Sequence, residues 1–441
     1  MILSRFISTL LFFPFTLATQ RQIAKYHHLP PLREQAAIQD AWTAERISNI
    51  PNILKKYNVD AWLMTQKEYA EDTVFWSLKS ATQFSARRRT VDLFIANASP
   101  GTKSSYNWID NTNEVWTELL DILESQNVSR IAINADEGSA FSSGLHVGEL
   151  EVLRNKLGEG WAEKFVVERM VAVEFVATMV EGRLEWYRKL QETAWAMITE
   201  GFSSSVIEPG KTTTTDVEWW LREKILQMNY TTWFQPTVSV LGEKSPFEIA
   251  STGPPVIEYG DLLHVDFGVT ALGMNTDTQH LAYVLRPGET EEDITTGYLE
   301  GLKKVNRLQD ILKSNMVVGV SGNEVLKKSL AQMRSEGMEG RIYSHPIGDW
   351  GHAAGALIGM FNLQDSVATL GDLPILKSMY YSVELYAEHF VPERNVTIPF
   401  FLEEDVYWDK ETGAFEWVVG RQEKFHLIDT RKKSTIRVLE L

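Results

Sequence analysis

The sequence predicts an α+β protein of two domains, and three observations carry that prediction. Up to about residue 170, short apolar runs alternate with amphipathic stretches, the pattern of a small α/β domain with a mainly open sheet. Beyond it, a helical stretch running from Val173 through Leu184, Tyr187, Leu190, Ala194 and Ile198 gives way to alternating strands around short turns. The 441 residues also exceed one ordinary core, since a domain takes roughly 150 residues.

The elements follow in order. Met1 to Gln20 holds Arg5, an apolar stretch from Phe6 to Ala18 and then the small pair Ala18 and Thr19, the layout of a secretory signal peptide over residues 1–19. That run is short for ~30 Å of hydrocarbon and Pro14 interrupts it, so cleavage near Ala18 or Thr19, secretion and no membrane attachment afterwards are expected. Asn97, Asn127, Asn229 and Asn395 are N-x-S/T acceptors. In the first domain, residues 20–170, strands are predicted at Val59–Met64, Val91–Ile95, Arg130–Ile133 and Phe165–Val167, with helices at Val115–Glu124 and Leu150–Leu157. Arg87-Arg88-Arg89 reads as a solvated loop or strand edge. In the second, residues 171–441, Thr215-Asp216-Val217-Glu218 reads as a capping box. It opens a helix with Val217, Trp220, Leu221, Ile225 and Met228 on its apolar face, its tryptophans serving the core.

Composition excludes several classes. Hydrophobic residues at 44%, with 14 Trp and 20 Phe, supply a conventional interior and exclude disorder as the main state. The balance of 43 Lys and Arg against 59 Asp and Glu, a net −16, argues against a nucleic-acid partner held by phosphate neutralisation. With no cysteine, disulfides, thiolate metal sites and cysteine nucleophiles drop out together, and a metal must rest on His, Asp and Glu. There is no G-x-S-x-G, H-E-x-x-H, P-loop or G-x-G-x-x-G motif.

Chemistry gathers after residue 260. Two alternating strands, within Gly260–Gly268 and Thr276–Val284, flank a short turn with Gly273 and read as a hairpin. A turn centred between Ala271 and Leu272 sets Asp266 directly opposite Asp277, where two carboxylates need a cation to neutralise them. His345 and His352 stand seven apart among small residues, and Glu384 and Glu403 interrupt apolar strand-like runs. Buried acids are expensive alone, so one shared cation explains them together.

In this order, two aspartates eleven apart, a histidine in a Gly-rich segment and two late glutamates resemble the pita-bread metallopeptidases: aminopeptidase P, prolidase, methionine aminopeptidase and creatinase. Gly260-Asp261-Leu262 to Asp266-Phe267-Gly268 is similar to that family's first metal motif, and the domain before it resembles the creatinase-type N-terminal domain. The resemblance implies a pita-bread domain holding two divalent ions (Mn, Co, Zn or Fe) on Asp266, Asp277, His345, Glu384 and Glu403. Four carboxylates and two divalent ions cancel in charge. It further implies that Glu384 shuttles a proton and that His352 stabilises the substrate. Gly351-His352-Ala-Ala-Gly matches the ligand pattern as well, but only His345 as ligand keeps a second histidine seven residues on. The implied activity is release of the N-terminal residue from Xaa-Pro peptides or dipeptides, by a homodimer. The alternative is a creatinase-like or dimethylsulfoniopropionate lyase-like reaction on a small molecule. It draws on the departures from the peptidases: no histidine between Pro236 and Gly260, Gln279 and His280 after Asp277-Thr278, Leu385-Tyr386 after Glu384, and Phe401 before Leu402-Glu403.

Overall fold

The computed structural model describes residues 23–242, 253–431 and 437–441, so the signal-peptide segment lies outside the described residues. The first domain carries a five-stranded sheet in the order Ser105–Ile109, Arg89–Ile95, Ala61–Lys67, Ile131–Ala132, Phe165–Val166. The strands Ala61–Lys67, Ile131–Ala132 and Phe165–Val166 run parallel, while the other two pairings are antiparallel. Ala61, Leu63, Val91, Leu93 and Ile95 pack under the helices Glu114–Ser125 and Val147–Leu157, through Val115, Leu119, Leu123 and Leu153. The alternate residues Trp62, Met64 and Phe94 face Ile53, Leu54, Val171 and Phe175, and that core runs on into the second domain. Arg87 and Arg88 are exposed as expected, whereas Arg89 opens its strand and pairs with buried Glu149 at 3.1 Å.

The long helical stretch is two helices, Arg169–Ala177 and Arg183–Gly201. Thr178 is extended, and the Met179 N–H donates to the Ser378 carbonyl at 2.9 Å, so a tertiary partner takes the backbone where periodicity predicts continuation. The capping box also sits two residues earlier than expected. Thr213 and Asp216 form it, and it opens the helix Thr214–Gln227. Val217, Leu221, Ile225 and Met228 are buried as expected and Trp220 packs beside them, but Trp219 is exposed.

The second domain is built on a nine-stranded sheet. Its path runs Glu339–Ile342, Tyr380–Val391, Val396–Asp409, Gln279–Val284, Leu262–Asp266, Thr237–Val240. The helices Thr296–Asn315 and Gly322–Ser335 pack with Leu281, Tyr381, Val383 and Phe400 into one core. Arg183–Gly201 and Thr214–Gln227 pack with Leu263, Val265, Ala282 and Val284 into another. The long hairpin of Tyr380–Val391 and Val396–Asp409 runs alongside Gln279–Val284, which brings the late acids to the early hairpin.

Candidate metal centre

The early hairpin turns at Leu272-Gly273, both at positive φ (53° and 67°), with Ala271 paired to Met274. This is one residue beyond the expected centre, so Asp266 faces Gln279, not Asp277. The cause is the pair of left-handed positions that a two-residue turn of this hand requires; a leucine occupies the first. Gly268 is needed close by, because a Cβ there would lie 2.0 Å from the Thr276 carbonyl oxygen.

Register then fixes a row across four strands. Glu384 pairs with Glu403, Glu403 with Gln279, and Gln279 with Asp266. Asp277 and His345 close on this row. His345 Nε2 lies 3.8 Å from Asp277 Oδ2, 3.5 Å from Glu403 Oε1 and 4.0 Å from Glu384 Oε2. All five residues named from sequence therefore converge, while His352 stands beside them. Its ring is edge-on to His345 at 4.6 Å between centroids, and to Trp233 at 5.0 Å. Asp277, His345 and Glu403 are buried and offer ligand atoms within 4.8 Å of one another.

Burial and mutual repulsion set the electrostatics of the acids. Burial, then the charge of Glu403, holds the carboxyls of Asp266 and Asp277 well above the usual carboxylate range, and the same causes raise Glu384. His345 Nδ1 lies 2.9 Å from the Pro346 carbonyl, which fixes the proton on Nδ1 and turns the Nε2 lone pair toward the acids. That Nε2 is buried and has no hydrogen-bond partner. A basic nitrogen without a donor, facing several carboxylates, fits a hard divalent cation.

Several residues of the site carry no metal-ligand signal in the sequence. The Gln279 amide donates to Glu384 at 2.6 Å and to Glu403 at 2.7 Å, while its oxygen lies 2.9 Å from His264 Nε2. Burial lowers His264 to about 4, so the ring is neutral at pH 7 and can donate there. Ser382 donates to the other Glu403 oxygen at 2.5 Å. Asp405 accepts from the Tyr187 hydroxyl at 2.9 Å and from the Asp277 N–H at 3.3 Å. Only its place two residues after Glu403 in a strand hints at it. Glu404 turns to the reverse side, to His280 Nε2 at 2.8 Å.

Comparison with known proteins identifies the family. The sequence pattern of metallopeptidase family M24 matches residues 185–410, more than half of the chain. An X-Pro aminopeptidase from Thermotoga maritima superposes with a TM-score of 0.56 at 15% identity, over 86% of this chain and 100% of its own. A Xaa-Pro dipeptidase from Bacillus anthracis gives 0.54 at 14% identity over 88% and 100%, and a prolidase from Pyrococcus horikoshii 0.52 at 14% over 86% and 99%. At such identities the likeness is one of fold, over most of the chain. No curated protein matches the sequence. The α+β fold is the pita-bread arrangement expected, and the chain belongs to metallopeptidase family M24.

Proposed function

We propose that the chain is a secreted, dinuclear metal-dependent peptidase that releases the N-terminal residue from Xaa-Pro peptides or dipeptides. The observation that carries the metal-dependent part is His345 Nε2, buried, without a hydrogen bond, and within 4.0 Å of Asp277, Glu384 and Glu403. Asp266, Asp277, His345, Glu384 and Glu403 would hold the ions. Divalent ions so held would lower the pKa of a shared water and polarise a peptide carbonyl. Glu384, at the end of the acidic row, is positioned to take a proton and return it to the leaving nitrogen. His352, exposed beside His345, is the donor available to a substrate oxygen.

Secretion rests on the signal-like first twenty residues, and the four N-x-S/T asparagines are all exposed, as glycosylation in the secretory pathway requires. The Xaa-Pro preference draws on the relatives of like fold, and the homodimer on the two-domain layout. One observation favours the small-molecule reading: Phe401 packs 5.0 Å from both His264 and Tyr386, an aromatic wall beside the acidic row.

A substrate panel tests the proposal. Metal-loaded protein is expected to cleave Xaa-Pro dipeptides or longer Xaa-Pro peptides. Turnover of creatine-like or sulfonium compounds with none of any proline peptide would move the assignment to the small-molecule reaction. Purified protein is expected to carry one to two divalent ions per chain, and full metal content in Asp266→Ala and Glu403→Ala would overturn the ligand set.

A further inference from the structure

A second charged site lies where the two domains meet. A cavity of about 520 Å³ opens between the helix Leu32–Ser48, the Trp76–Ala81 segment, the start of Arg183–Gly201, the hairpin tip at Leu272-Gly273 and the Asp349-Trp350 loop. The helix contributes Gln39, Thr43 and Arg46, spaced i, i+4 and i+7 on one face.

Its floor holds two arginines and one carboxylate, all buried: Arg46 is 1% exposed, Arg183 4% and Asp349 7%. Arg46 Nη1 lies 2.6 Å from Asp349 Oδ2, and Arg183 Nη1 pairs with Asp349 Oδ1. Arg46 has further compensation: its Nη2 donates to the Phe175 carbonyl at 3.0 Å and lies 3.4 Å from that of Val176, at the C-terminal end of a helix. Arg183 has less. Beyond Asp349, among the described residues, its guanidinium meets the Met179 sulfur, 3.3 Å from Nη1, and the face of Trp42 at 5.7 Å, and its Nε is buried with no hydrogen-bond partner, as is that of Arg46. Lys79 also lines the cavity and feels the charge of Asp40. Two guanidiniums sharing one carboxylate leave a positive charge uncompensated where desolvation makes it costly. Burial and the neighbouring Arg183 pull Arg46 down to about 10 against the opposing effect of Asp349.

We propose that this cavity is a carboxylate-binding site, in which an organic acid with an apolar body completes the charge of the Arg46–Asp349–Arg183 cluster. Guanidinium N–H groups match a carboxylate. Trp76 and Trp350 in the walls suit a flat apolar body. The site is distinct from the acidic row. Asp277 lies four residues along the hairpin from Gly273, about 13 Å at ~3.3 Å per residue. The carboxylate has two possible sources, a free acid or the C-terminus of a peptide held at the metal centre. The second rests on the proposed peptidase reading; the first does not.

The test uses metal-loaded protein with 3-phenylpropionate and, as the neutral control, 3-phenylpropionamide. The expected result is saturable thermal stabilisation by the acid and none by the amide. Two variants locate it: Arg183→Met leaves a balanced Arg46–Asp349 pair, and Thr43→Glu brings a carboxylate of its own into the cavity. Each is expected to weaken binding of the acid at least tenfold, whereas an acid bound at the metal centre would be unaffected by them. A peptide terminus as the source would instead appear as a KM lower for a free-acid tetrapeptide than for its C-terminal amide, a difference lost in both variants. Binding that persists in both variants, or no acid-over-amide preference in either assay, would overturn the proposal.

Discussion

Asp266 lies directly across the hairpin from Gln279, and that single pairing inserts a neutral amide into a row of acids. Because Gln279 also pairs with Glu403, its two N–H groups reach Glu384 and Glu403 while His264 fixes the amide's orientation through its oxygen. The amide stabilises two facing carboxylates and aims them, as an outer partner of a metal ligand does.

Gln279→Leu removes both donors at nearly constant volume. Divalent-ion affinity, measured by calorimetric titration, is expected to fall about 10–100-fold, the usual range for losing such a partner. Unchanged affinity would show that Glu384 and Glu403 need no such support.

The two histidines are expected to separate cleanly. His345→Ala removes the unpartnered Nε2 from the acids, so bound metal measured by elemental analysis is expected to fall below stoichiometry. His352→Ala is expected to keep the metal and lose about 10²–10³ in kcat, the scale for one donor to a developing oxyanion. The reverse pattern would exchange their roles.

Packing predicts a contrast between two glycines. A methyl at Gly268 meets the Thr276 carbonyl at 2.0 Å, whereas one at Gly148, in a helix, meets nothing within 4 Å. Gly268→Ala is expected to cost about 1–3 kcal/mol in urea unfolding and to disturb metal binding through Asp266. Gly148→Ala is expected to be neutral or stabilising by about 0.5–1 kcal/mol.

A pH dependence resides in the first domain. Asp92 accepts from Gln66 at 2.7 Å and from Asn107 at 2.6 Å, and nearby Asp72 accepts twice from Asn134 at 3.0 Å. Burial raises both carboxyls from 3.8 to about 6. The folded state therefore holds these protons more tightly than the unfolded one, so their contribution to stability is full below pH 4 and is lost as pH rises to about 6. Asp92→Asn abolishes that loss. Its stability relative to the unsubstituted protein is expected to rise by about 2 kcal/mol between pH 4 and pH 7 in denaturant titrations, since each tenfold gain in proton affinity on folding is worth about 1.4 kcal/mol. A pH-independent difference would rule the effect out.

The amino-acid order alone named the residues that could bind a metal. The absence of cysteine confined any metal to carboxylates and histidine. The spacing of Asp266, Asp277, His345, Glu384 and Glu403 named a set that does converge. The main strands of both domains were legible too, as short apolar runs, because Ala61–Lys67, Arg89–Ile95 and Gln279–Val284 are buried on both faces. Tertiary structure decided what depends on partners distant in sequence. Met179 leaves the helical pattern because Ser378 supplies a carbonyl, and Trp219 stays exposed although its helix is otherwise buried along Val217, Leu221 and Ile225. Leucine at 272 in a left-handed turn shifted the hairpin centre by one residue, which replaced Asp277 by Gln279 in the acidic row. Residue types fix which groups can bind a cation, but which of them face each other is set by strand register, and register is a property of the packed sheet.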